Sequence, residues 1–126
     1  MDQAPGARDA DLQSRRRHFI EERFPELAAE GVTIDDPDAI VKAARLYYEE
    51  GSLPRAVELL QFAVEESPSH VQPWLALFEI YRLESFSHEY GQLATRFRMV
   101  HGEGDTWEKI QYNGRELNPD NPLYRA

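Results

Sequence analysis

Residues 36–68, DPDAIVKAARLYYEEGSLPRAVELLQFAVEESP, decide how this chain folds. Asp36 is placed to cap a helix N-terminus, and Pro37 suits the first helical position because its missing N–H would have no partner there anyway. Ile40, Ala43, Ala44, Tyr47 and Tyr48 then recur at helical spacing and share one face. Gly51 stands where a left-handed stop is expected. Ser52 and Pro54 open a second helix with the apolar face Val57, Leu60, Ala63 and Val64, and Pro68 follows its end. The stretch predicts two amphipathic helices joined by a tight turn.

The pattern returns 34 residues later. Ile40 corresponds to Trp74, Ala43 to Leu77, Ala44 to Phe78, Tyr47 to Tyr81, Leu60 to Ala94 and Ala63 to Phe97. Trp107 echoes Trp74 one residue short of a further period. Small residues such as Ala43, Ala44, Ala56 and Ala63 let two helices of a pair approach closely. Trp74 and Tyr81 have the bulk to fill the space between neighbouring pairs. A single pair cannot bury both of its faces, so its stability has to come from stacked neighbours.

A helix–turn–helix period of this length resembles the tetratricopeptide repeat. Tyr47, Gly51, Ala56, Leu60, Ala63 and Pro68 stand at family positions in the first copy. The second copy matches through Trp74, Leu77 and Tyr81. It then departs: Ser85 replaces a turn glycine, Tyr90 a small alanine and Gly102 a proline, which predicts looser or shifted packing of its second helix. In the third copy Trp107 and Ile110 match, but Gly114 replaces a tyrosine. The resemblance implies an all-α, right-handed stack of helical hairpins, with an extra N-terminal helix and a C-terminal capping helix. Within it, Trp74–Tyr81, the glycines Gly102 and Gly104 ahead of Trp107, and above all Gly114–Tyr124 (GRELNPDNPLY) are similar to the repeat segments of FimV-type proteins. Those are bacterial hubs associated with type IV pili and cell poles. That narrower likeness, over residues 36–124, implies a cytoplasmic scaffolding segment of a larger inner-membrane protein.

On either side the pattern is weaker. Residues 1–8 are rich in Ala, Gly, Pro and Asp, and a frayed tail is expected. Over 9–31, Leu12, Phe19, Ile20, Phe24 and Leu27 form an imperfect helical stripe that Pro25 should kink or restart and Gly31 should end. That helix is expected to cover one open end of the stack formed by 36–126. Strand-like alternation of useful length is absent. Asn118-Pro-Asp-Asn-Pro122 stops the last helix, because residues before proline avoid helical backbone angles.

Composition narrows the function. Asp plus Glu is 23 against Lys plus Arg 14, a net charge of −9, which disfavours non-specific binding to a phosphate backbone. With no cysteine there are no disulfides, thiol nucleophiles or cysteine-held metals. No apolar run is long enough to span a membrane, and Met1–Arg17 lacks the apolar core of a secretion signal. A cytoplasmic setting is the expectation.

Catalytic constellations are also missing, and the chain is read as not an enzyme, without metal or cofactor. His18 beside Glu21 and Glu22 lacks the second histidine of a zinc helix, so a solvated face explains it. His70 and His101 lie near helix ends, where a cation is favoured. The pairs Glu21/Glu22, Asp35/Asp36, Glu49/Glu50 and Glu65/Glu66 cannot flank a cleft, because adjacent residues on a helix point apart. Arg15-Arg16-Arg17 is too short for a nucleic-acid patch, and intrahelical ion pairs explain it.

By the repeat resemblance, the ligand-facing positions are Val41, Arg45 and Tyr48, then Leu75, Glu79 and Arg82, then Glu108, Tyr112 and Arg115. Arg and Tyr are frequent binding hot spots. The set lacks the Lys/Asn pair with which some relatives clamp a terminal carboxylate. The expected function is a non-enzymatic adaptor that holds a peptide or helix of a protein partner, in a bacterial pilus or envelope assembly. The alternative is a self-associating module that forms a homodimer through its end faces.

Overall fold

The computed structural model describes residues 5–125. Among them the chain is all-α: α1 (Pro5–Arg23), α2 (Pro25–Ala29), α3 (Pro37–Glu49), α4 (Leu53–Glu66), α5 (Val71–Leu83), α6 (Ser87–His101) and α7 (Asp105–Leu117), closed by a 3-10 turn at Pro122–Tyr124. Helices α3, α5 and α7 each have 13 residues, and their first residues, Pro37, Val71 and Asp105, follow at intervals of 34. Ile40 and Trp74 are each the fourth residue of their helix, and both are fully buried.

The expected tail is shorter than proposed at its inner end. Residues 1–4 lie outside the described ones, and helical backbone already begins at Pro5. The chain divides into two compact units that meet in sequence at Ser67 and Pro68. Helices α1 and α2 therefore belong with α3 and α4 rather than forming a segment of their own.

In the first unit Asp36 accepts a hydrogen bond from the Ala39 N–H at 3.2 Å, capping α3 as expected. Ala43 and Ala44 of α3, with Ala56 and Ala63 of α4, are buried, and the absence of long side chains there lets the two helices lie close. Helix α1 lies along α4 in antiparallel register. Arg23 donates to Glu58 at 2.6 and 3.0 Å, Phe19 stacks on Phe62 with ring centroids 3.7 Å apart, and Arg16 donates to Glu66 Oε2 at 3.2 Å. The predicted intrahelical pairing of the arginine run fails for Arg16, whose carboxylate partners, Glu66 and Asp35, come from elsewhere in the fold. The exposed Arg23–Glu58 pair contributes little, whereas Arg16 is part-buried. Ile20 and Phe24 are almost wholly buried, and each contributes about 1.5–3 kcal/mol through removal from water. Apolar burial therefore holds α1, and the charges set its register.

In the second unit aromatic rings separate the paired helices. Phe78 meets Tyr90 edge-on at 4.9 Å and Phe97 at 5.9 Å, and Trp74 meets Phe97 at 5.6 Å. Helices α5 and α6 accordingly approach less closely than α3 and α4. The spacing is shifted as expected, but the helix is well packed, since Tyr90, Leu93, Ala94 and Phe97 are all buried. Trp74 Nε1 donates to the Pro68 carbonyl at 3.0 Å, and His101 Nε2 lies 2.8 Å from the same oxygen. His101, the last residue of α6 as expected, also packs its ring against Trp74 and Phe97. The C-terminal segment folds back onto α7. Gln111 Nε2 donates to the Arg125 carbonyl at 3.0 Å, Arg115 Nη1 donates to the Tyr124 carbonyl at 2.8 Å, and the buried Tyr124 ring rests on Gly114.

Candidate functional site

The second unit carries a groove of about 230 Å3 between α5 and α7. Helix α5 buries Trp74, Leu77, Phe78 and Tyr81, which turns Leu75, Glu79 and Arg82 toward the groove. Helix α7 buries Trp107, Ile110 and Gly114 and presents Thr106, Lys109 and Asn113 to the groove. Phe78, Tyr90 and Ile110 make the floor. All three are nearly inaccessible, so the floor is firm and apolar.

The groove's polar groups are partly committed. Arg82 forks onto Glu79, Nη2 to Oε1 at 2.9 Å and Nε to Oε2 at 3.3 Å, which holds both side chains along the rim. Tyr90 donates its hydroxyl to the Ile110 carbonyl at 2.8 Å. Burial pushes the Tyr90 phenol well above its ordinary range, so it stays protonated and keeps donating. Lys109 is exposed, and no carboxylate is paired with it among the described residues. Leu75 is 41% exposed. The groove therefore offers an apolar side chain, one uncommitted ammonium, and an amide that both donates and accepts.

Of the nine residues expected to meet a ligand, this groove brings together Leu75, Glu79 and Arg82. Glu108, Tyr112 and Arg115 lie on α7 but do not line it. Tyr112 is 60% exposed, and Arg115 is engaged with the Tyr124 carbonyl. Val41, Arg45 and Tyr48 lie on α3 in the first unit, with Arg45 exposed and Val41 and Tyr48 half-buried. The missed residues are Thr106, Lys109 and Asn113. The match of Trp107 to Trp74 holds in the buried faces, since Trp74, Leu77 and Tyr81 of α5 correspond to Trp107, Ile110 and Gly114 of α7. Thr106, Lys109 and Asn113 each directly precede a buried residue of α7, whereas Leu75, Glu79 and Arg82 each directly follow one of α5, so the two helices line the groove with opposite flanks.

Among the described residues no group of three His, Asp or Glu side chains is placed to hold a metal ion. No helix among them is long and apolar enough to cross a membrane. Comparison of the chain with protein-family models, with curated proteins and with solved structures finds no match in any of the three.

Proposed function

We propose that this chain is a non-enzymatic adaptor of tetratricopeptide type that holds a peptide or helix of a protein partner against α5 and α7. The observation that carries the reading is the recurrence of three 13-residue helices at 34-residue intervals, with the intervening turn at Gly51 repeated at Ser85. Right-handed stacking of the hairpins is part of the proposal. The partner sets an apolar side chain beside Leu75 on the Phe78–Ile110 floor and a carboxylate beside Lys109. A groove this small supports modest affinity, on the order of micromolar. The FimV-type likeness of 36–124 supports a cytoplasmic scaffold in a bacterial pilus or envelope assembly as the setting.

A photo-reactive residue placed at Leu75, and separately at the 81% exposed Met99, tests it in cells. One protein partner should cross-link from position 75 and not from 99. Equal labelling from both positions, or none from 75, removes the groove from the function. The second reading, self-association, draws on the exposed Met99 and Val100 in the last turn of α6. A monomer in sedimentation at high concentration eliminates it.

A further inference from the structure

A wider cleft, about 620 Å3, runs between α6 and the segment 118–123, and no residue of α5 or α7 lines it. We propose that it binds an acidic segment of a protein in extended conformation, independently of the α5–α7 groove.

The chain has 23 acidic residues and a net charge of −9, yet no carboxylate lines this cleft. Glu89 and Asp120 are sequence neighbours of the lining residues His88 and Asn121, and both are left out of the lining. The ionisable side chains present are His88 and Arg98. The Arg98 guanidinium sits 5.4 Å from the Trp107 ring centroid, and among the described residues no carboxylate pairs with it. A cation held over an aromatic face and left unneutralised is already placed for an incoming carboxylate.

Ser87 and Arg98 both line the cleft, and a helical rise of 1.5 Å per residue separates them by roughly 16 Å. That length suits about five residues of extended chain and is too long for one small anion. Between the ends lie three amides, Gln92, Asn118 and Asn121, a side-chain type that donates and accepts as a peptide backbone does. Asn121 uses Oδ1 on the Leu123 N–H at 3.0 Å, which leaves its NH2 group to donate. No Trp, Tyr or Phe lines the cleft, so a sugar ring would find no aromatic face to stack on.

The Tyr124 hydroxyl is buried and has no hydrogen-bond partner. It lies beneath the cleft wall, 3.4 Å from where a Cβ on Gly91 would stand, with Asn121 Nδ2 3.6 Å from the same point. Buried hydroxyls are rarely left unpaired. Tyr124 does not itself line the cleft; Gly91 and Asn121, which do, stand between this hydroxyl and a bound segment.

The test uses the full chain and a fluorescein-labelled hexapeptide of alternating glycine and glutamate, followed by anisotropy at low salt. The glutamate peptide should bind at least five-fold more tightly than its glutamine counterpart. Arg98→Glu should weaken it at least ten-fold and Gln92→Ala about three-fold, while Lys109→Glu, in the other groove, leaves it unchanged. Amide shifts on binding should cluster at 87–98 and 118–123. Equal binding of both peptides, full binding by folded Arg98→Glu, shifts confined to α5 and α7, or preference for an acidic oligosaccharide would each overturn the proposal.

Discussion

Gly51 and Ser85 stand 34 residues apart and hold the same left-handed turn. Their φ angles are 85° and 58°, and among the described residues Ser85 is the one with positive φ that is not glycine. After each, an N–H reaches back five residues: Ser52 to the Tyr47 carbonyl and Phe86 to the Tyr81 carbonyl, both at 2.8 Å. That bond closes a helix and sets the chain up for the next one. The side chain at Ser85 carries a steric cost that glycine does not.

Ser85→Gly should therefore stabilise the protein by about 0.5–1 kcal/mol, and Gly51→Ala should destabilise it by about 1 kcal/mol. Urea unfolding measures both, with unchanged slope. A destabilising Ser85→Gly would mean that the serine hydroxyl holds the turn.

Gly114 is fixed by Tyr124. A Cβ there would come within 2.4 Å of the ring. Gly114→Ala must push the ring out and should cost about 1–3 kcal/mol, the range of overpacked cores. In the double variant with Tyr124→Ala the two costs should sum to less than their separate values, because both remove one contact. Simple additivity in a double-mutant cycle would refute the contact.

Arg115 should behave as a structural residue. Its guanidinium holds the Tyr124 carbonyl, so Arg115→Ala should lower the melting temperature and loosen the C-terminal segment in hydrogen exchange. Arg45→Ala, at an exposed position on α3, should change stability by less than about 0.5 kcal/mol. Equal melting temperatures for the two variants would contradict this assignment.

The first unit should loosen in acid. The Tyr47 hydroxyl, aided by Arg55, holds the Glu26 carboxyl below the usual range, and Arg23 does the same for Glu58. A carboxyl with a lowered folded-state pKa adds stability above its unfolded-state value, and that stability is lost as pH falls through the folded value. The loss should begin near about pH 4 and continue below it. Thermal melts from pH 7 to 3 should show it. Glu26→Gln with Glu58→Gln should flatten the dependence and lower stability at pH 7.

The helices were legible because their signals are local. Asp36, Pro37, Gly51 and Pro68 punctuate the chain, and the apolar residues between them recur at helical spacing. Pro25 restarts a helix and Gly31, at φ 77°, ends it, as read from sequence. The rim of the α5–α7 groove was half legible. Leu75, Glu79 and Arg82 follow from the face that α5 buries. On α7 the match of Trp107 to Trp74 pointed to the flank equivalent to that of Leu75, Glu79 and Arg82, whereas a groove between two helices takes the opposite flank of the second, here Thr106, Lys109 and Asn113.

The amino-acid sequence by itself determined the helical class, the boundaries of α3 and α4 and the 34-residue spacing, since each depends on residues within a few turns of one another. Tertiary structure alone decided that Arg16 reaches Glu66 across 50 positions, that Tyr124 fills the space above Gly114, and that Arg115 is spent on the chain's own backbone. Such pairings depend on which surfaces meet after the helices pack, and no local periodicity encodes that meeting.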